Sequence, residues 1–328
     1  MRGSIKYQVH TLFLKSGIDK IGHSKHAAKE MVRQNIKASG QQPSWHKLGK
    51  GMGIHSTGTR DTYEGTWRQV LEHAKSEFGV RDIEKLTGQH IQSYLESKIT
   101  DSENRISNQT FLNYSSACEK LETALTMNAW RLATGNSYRF TPNIEAVRET
   151  AREIKLGRFE GNRAYESPKL LIDNLKYESH QLAARIQFEG GARISEANHI
   201  GKEQLKGIFK DPYSDQLKGL FEVQGKGGKI RDIQVSLETY KALKETIDQK
   251  NSFDFNDRTY RNDLEKTARF IGEAPENKGS HGLRWNFAQY RFSEVQLKAD
   301  VNEIHALSIV SEEMGHIRAS ITEHYLGK

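Results

Sequence analysis

Apolar residues return every three to four positions through most of this 328-residue chain, and that period points to a mainly helical fold. The clearest stripe is Trp67, Val70, Leu71, Ala74 and Phe78. It marks one face of a helix over Thr62 to Phe78, which Gly79 stops. The same spacing predicts helices over Lys25 to Lys37, Asp82 to Ile99 and Asn108 to Ala133. A Gly-, Ser- and His-bearing loop is expected from Ser39 to Gly58. Four helices with short connections make a small bundle. Phe111, Tyr114, Cys118, Leu121 and Leu125 share a helical face, so the single cysteine reads as a packed core thiol. One cysteine excludes an intrachain disulfide and a zinc site built on several cysteines.

Charge divides the chain unevenly. Residues 1–165 hold 25 Lys and Arg against 17 Asp and Glu, a net of about +8, while residues 166–328 sit near zero. The pI is about 9.2 and the mean hydropathy −0.75. A basic half joined to a neutral half suggests a module that grips a polyanion, attached to a second module. No apolar run reaches the ~18 residues of a membrane span. Met1-Arg2-Gly3-Ser4 opens without a signal peptide's apolar core, and Leu12-Phe13-Leu14 is too short to supply one. The expected location is the cytoplasm.

A boundary is expected between Phe140 and Pro168. Asn143 to Lys155 looks helical but is heavily charged, and Gly157 to Arg163 has several breakers and no clear period. We divide the chain into residues 1–160 and 161–328. The second part opens with a helix from Pro168 to Phe188, followed by Gly190-Gly191. Leu220 to Val223 and Ile230 to Val235 read as the strands of a hairpin, turned by Gly225-Lys226-Gly227-Gly228. Helices follow near 236–249, 255–272, 283–297 and 301–313. The class is mostly α with a small β-hairpin or sheet.

Single polar residues say little. Arg193 follows a glycine turn leading into a helix, where an arginine is usually solvated or salt-bridged. Lys226 lies at a hairpin tip, where lysine favours solubility. His281 and Arg284 stand one helical turn apart on one face. His316 and Tyr325 fit a core or a surface equally well. Their order carries more. Arg193-Ile194-Ser195-Glu196, Gly225-Lys226-Gly227, His281-Gly282-Leu283-Arg284 and Met314-Gly315-His316 follow one another, and Tyr325 comes nine positions after His316.

That series resembles the catalytic domain of the tyrosine recombinases, the family of phage and mobile-element integrases, Cre and the Xer proteins. The resemblance covers roughly residues 165–328. Residues 1–160 resemble the family's helical, DNA-gripping core-binding domain only in kind. Met314 stands where the family usually has leucine. Relatives often carry a segment beyond the tyrosine that docks on a neighbouring protomer; here three residues follow Tyr325. The stretch from Arg284 to His316 is longer than in compact relatives, which suggests an insertion near 294–303.

The resemblance implies a site-specific recombinase acting on double-stranded DNA through a covalent 3′-phosphotyrosine, in a phage or mobile element. Tyr325 would be the nucleophile. Arg193 and Arg284 would clamp the non-bridging phosphate oxygens. His281 would assist Tyr325, as general base or through the phosphate, and His316 would hydrogen-bond the phosphate. Lys226 would protonate the departing 5′-oxygen, with Lys229 able to reach the same place. Glu196 would buttress Arg193 or His281. The phosphotyrosine stores the bond energy, so no ATP, cofactor or metal is implied, and His281, His316 and His324 lack an accompanying ligand pattern for zinc. A homotetramer on two sites, accessory DNA-bending proteins and a nucleoid location are further implications. A type IB topoisomerase shares this chemistry, and a catalytically dead DNA-binding relative is the rival from another class.

Overall fold

The computed structural model describes every residue except 102–105, 158–160, 226–227, 277, 298–300, 317 and 328, together with the side chain of Trp45. The Lys226 assignment and part of the 294–303 insertion therefore lie outside the described residues. The chain forms two compact units, Met1–Phe159 and Glu160–Lys328.

The first unit is all helical: α1 (Ile5–Ser16), α2 (Lys25–Ala38), α3 (Trp45–Gly51), α4 (Thr57–Phe78), α5 (Gly88–Thr100), α6 (Asn108–Arg131) and α7 (Thr141–Glu153). Serine caps set several of its starts. Ser4, Ser24, Ser44, Ser56 and Ser107 each accept a hydrogen bond from the backbone N–H three residues on. Each such cap is worth about 1 kcal/mol. The Ser56 cap is why α4 begins at Thr57 rather than at Thr62, where its apolar stripe begins. Helix α1 was not read from the sequence although Ile5, Val9, Leu12 and Phe13 share one face at helical spacing; α3, seven residues long, is too short to show a period and lies inside the stretch read as a loop. Trp67, Val70, Leu71 and Ala74 of α4 enter a core with Phe13, Tyr94, Leu121 and Ile144. Cys118 is buried there, and the Trp67 indole donates to the Ala117 carbonyl at 2.7 Å. Helix α2 has no buried residue.

The second unit contains α8 (Pro168–Asp173), α9 (Glu178–Gly190), β1 (Ile200–Gly201), β2 (Leu205–Lys210), β3 (Leu217–Gln224), β4 (Ile230–Ser236), α10 (Leu237–Lys250), β5 (Ser252–Phe253), α11 (Asp257–Phe270), α12 (Gly279–Gln296), α13 (Glu303–Glu313) and α14 (Ser320–Tyr325). The helix expected over Pro168 to Phe188 is two. Asp263 accepts from the Lys176 backbone N–H at 3.1 Å and contacts His180 Nδ1 at 2.7 Å, which draws the chain out of helix between α8 and α9. Strands β2, β3 and β4 form an antiparallel sheet in that order, with Phe221 opposite Ile233 and Gln224 opposite Ile230. The hairpin thus gains a third strand, β2, whose alternating, only half-buried residues give a weak signal. Among the described residues, no helix is long and apolar enough to cross a membrane.

Candidate active site

The site begins where α9 ends. Gly191 has φ +60, and a Cβ there would meet the Phe287 ring at 2.4 Å, so glycine is required twice over. Beyond it the chain makes one closed turn instead of the helix expected from the sequence. The backbone N–H groups of Glu196 and Ala197 both donate to the Arg193 carbonyl at 2.9 Å. Glu196 folds back and accepts from the Arg193 backbone N–H at 2.8 Å and from Arg193 Nη1 at 2.6 Å. Its carboxylate serves Arg193; no hydrogen bond joins it to His281 among the described residues.

Two more guanidiniums converge here. Arg231, on β4, donates from Nη2 to Glu196 Oε2 at 2.7 Å and to the Gly191 carbonyl at 3.1 Å. Arg284, on α12, is fully buried. It donates to the Gly191 carbonyl and, at 2.5 Å, to the Met314 carbonyl. Its Nη1 lies 4.0 Å from Glu196 Oε2. Three positive charges thus surround one carboxylate, leaving an excess of two. Burial alone would raise the Glu196 pKa, but Arg231 and Arg193 bring it down to about 2.

The histidines respond to the same field. Burial, then the charges of Arg284 and Arg163, lower His281 to about 4; burial, then Arg284 and Arg193, lower His316 to about 3. Both rings are therefore neutral near pH 7. Arg284 Nη2 lies 3.0 Å from His316 Nε2. A guanidinium only donates, so Nε2 accepts and the ring proton sits on Nδ1. That Nδ1 is buried and has no hydrogen-bond partner among the described residues.

Tyr325, on α14, is buried, with its phenolic oxygen 3.1 Å from His281 Nε2. The His316 ring stacks on it at 5.6 Å between centroids, and Trp285 packs at 5.2 Å. His324 contacts Trp285 rather than the arginines. The structure therefore brings Arg193, Glu196, His281, Arg284, His316 and Tyr325 into one cluster. Lys229 is exposed at the hairpin turn. The arrangement can hold an anion against three arginines, beside a phenol whose proton faces a neutral imidazole.

Arg231 escaped the sequence reading. Its signal was the strand phase: Arg231, Ile233 and Val235 are the buried positions of β4, between exposed Ile230 and Asp232. A charge in phase with two core residues needs a buried partner.

No family model matches the chain. It is 29% identical over 173 residues to tyrosine recombinase XerC of Thermodesulfovibrio yellowstonii, a match covering 47% of this chain and 51% of that protein. The match thus spans about half the length of the curated relative. In fold it is similar to two solved complexes of XerH site-specific recombinase with difH substrate. For the pre-cleavage complex the TM-score is 0.59 at 17% identity, covering 99% of this chain and 93% of that one. For the post-cleavage complex, on a palindromic substrate, it is 0.58 at 16% identity, covering 98% and 91%. The chain thus has the fold of the XerH recombinases and, over about half its length, sequence similarity to a XerC tyrosine recombinase.

Proposed function

We propose that this protein is a site-specific recombinase that cleaves and rejoins duplex DNA through a covalent 3′-phosphotyrosine at Tyr325. The observation that carries the reading is the Tyr325 phenol on a neutral His281, beside three guanidiniums that share one carboxylate. Arg193 and Arg284 bind the non-bridging oxygens of the scissile phosphate and offset the charge that grows in the transition state. His316 donates from Nδ1 to the same phosphate. Tyr325 attacks phosphorus, and its proton passes to His281 Nε2. The bond to the 5′-oxygen breaks, and that oxygen takes a proton from Lys226. Attack by a 5′-hydroxyl on the phosphotyrosine reverses these steps and rejoins a strand, so no external energy source is required.

Residues 1–160 contact DNA through phosphates, with their positive charge as the source of affinity. Four protomers on two sites, with accessory DNA-bending proteins, are the assembly we propose, in a phage or mobile element. The pairing with XerC and XerH relatives favours recombination over general relaxation of supercoils.

The test is covalent capture. Wild-type protein is mixed with nicked duplexes carrying randomised sequence, and DNA that stays attached in denaturant is recovered and sequenced. The expected result is an enriched site attached to wild type, and none attached to Tyr325→Phe. An adduct formed by Tyr325→Phe would move the nucleophile elsewhere. Absence of any wild-type adduct would remove the reading.

A further inference from the structure

Arg231 and Arg284 make parallel braces. Arg284 joins the Gly191 carbonyl to the Met314 carbonyl, and Arg231 joins the same Gly191 carbonyl to the preceding carbonyl, Glu313. Two strands of chain, the turn after α9 and the end of α13, are thereby held together by a pair of guanidiniums. The next residue, Gly315, has φ +72 and packs on Arg231: a Cβ there would lie 2.8 Å from Arg231 Cδ. His316 follows directly and accepts from Arg284.

Arg231 also sets the plane of Glu196. Oxygen Oε2 takes Arg231 and the Arg193 backbone, while Oε1 takes the Arg193 guanidinium. The Arg193 side chain is 29% exposed, whereas Glu196 and Arg231 are almost wholly shielded. The buried pair is therefore the fixed member and Arg193 the member that reaches outward. The terminal nitrogens of Arg231 are engaged by the Glu313 and Gly191 carbonyls and by Glu196.

Resting on the function proposed above, we infer that Arg231 is a positioning residue for the phosphate clamp. It orients Arg193 through Glu196, and His316 through the Glu313–Gly315 backbone. An error of about 1 Å in such groups is enough to cost a reaction on the order of a hundredfold.

The experiment uses full-length protein and the DNA site recovered by covalent capture, made with either a phosphodiester or a neutral methylphosphonate at the scissile position. A methylphosphonate carries no charge on its non-bridging oxygen, so it makes little demand on an arginine clamp. Arg231→Met is expected to slow adduct formation at least about tenfold on the phosphodiester. The deficit should shrink to a few-fold on the methylphosphonate, as for Arg193→Ala. Arg231→Lys, which keeps the charge and folds more readily, should fall between wild type and Arg231→Met with the same dependence on substrate. Equal slowing of Arg231→Lys on both substrates would mean a merely structural role and overturn the proposal. Wild-type rates for both variants would overturn it too. In either case the wild-type adduct, measured alongside, leaves the recombinase reading standing.

Discussion

The Tyr325 phenolic oxygen stands 3.1 Å from Nε2 of His281, and that histidine is held neutral by burial and by the arginines behind it. A neutral imidazole can accept the phenolic proton, whereas an imidazolium cannot. Arg193 and Arg284 therefore enter twice, as the proposed clamp on the phosphate and as charges that, with burial, keep the base neutral.

The first prediction concerns this coupling. The His281 and His316 ring signals, followed by NMR, should titrate near pH 4 and 3 rather than near the usual 6.5. Because their folded pKa values are lowered, the unfolded chain binds more protons below pH 6.5. Their contribution to stability is complete above pH 6.5 and is lost as pH falls through that value towards 4 and 3. Arg284→Met should raise the His316 pKa. Titration of both rings at 6.5 in the wild type would contradict the burial and charge argument. His281→Ala should slow cleavage by about 10²–10⁴, the range for a general base.

Arg193 and Arg284 should behave differently although both are proposed to clamp the phosphate. Loss of either should slow cleavage by about 10²–10³. Arg193→Ala leaves Glu196 held by Arg231, so its melting temperature should stay near wild type. Arg284→Ala leaves the buried Met314 carbonyl without its donor, at about 1–3 kcal/mol for an unsatisfied group, while the Gly191 carbonyl keeps Arg231. Its melting temperature should fall clearly. Equal melting temperatures for the two variants would mean that Arg284 is not a brace.

Residues 1–160, expressed alone, should bind duplex DNA with a steep dependence on salt. The unit has its own hydrophobic core and the chain's net positive charge. Counterion release makes affinity fall with salt in proportion to the phosphates contacted. An unchanged affinity between 50 and 200 mM salt, the approximate range over which that loss is large, would remove the gripping role.

The lysines are separated by chemistry. A 5′-bridging sulfur at the scissile phosphate needs no proton to leave, so it removes the demand for a general acid. Lys226→Ala should be slow on ordinary DNA and largely restored on the sulfur substrate. Lys229→Ala should cleave both nearly normally, and Arg193→Ala should not be restored. If Lys229→Ala alone shows restoration, the roles of the two lysines are exchanged. If neither does, the proton comes from elsewhere, with His281 the first candidate.

Helix α4 was legible because Trp67, Val70, Leu71 and Ala74 carry a strong period, and the β3–β4 hairpin because its glycine turn separates two apolar runs. The order of Arg193, Lys226, His281, Arg284, His316 and Tyr325 marked the candidate site, since residue types and spacing are properties of the chain. Local pattern could not show that α8 and α9 are separate, because the break is made by Asp263, more than eighty residues away. Nor could it show which group Glu196 supports, or that Arg231 shares it. Those outcomes depend on burial and on partners brought together by folding. Sequence by itself determined which chemical groups were available and the periods that make helices and strands. Tertiary structure alone decided that the Glu196 carboxylate is shared by three arginines, two of them hydrogen-bonded to it, that His281 and His316 are neutral, and that Tyr325 faces His281, because solvent exclusion and charge proximity exist only once distant segments are packed.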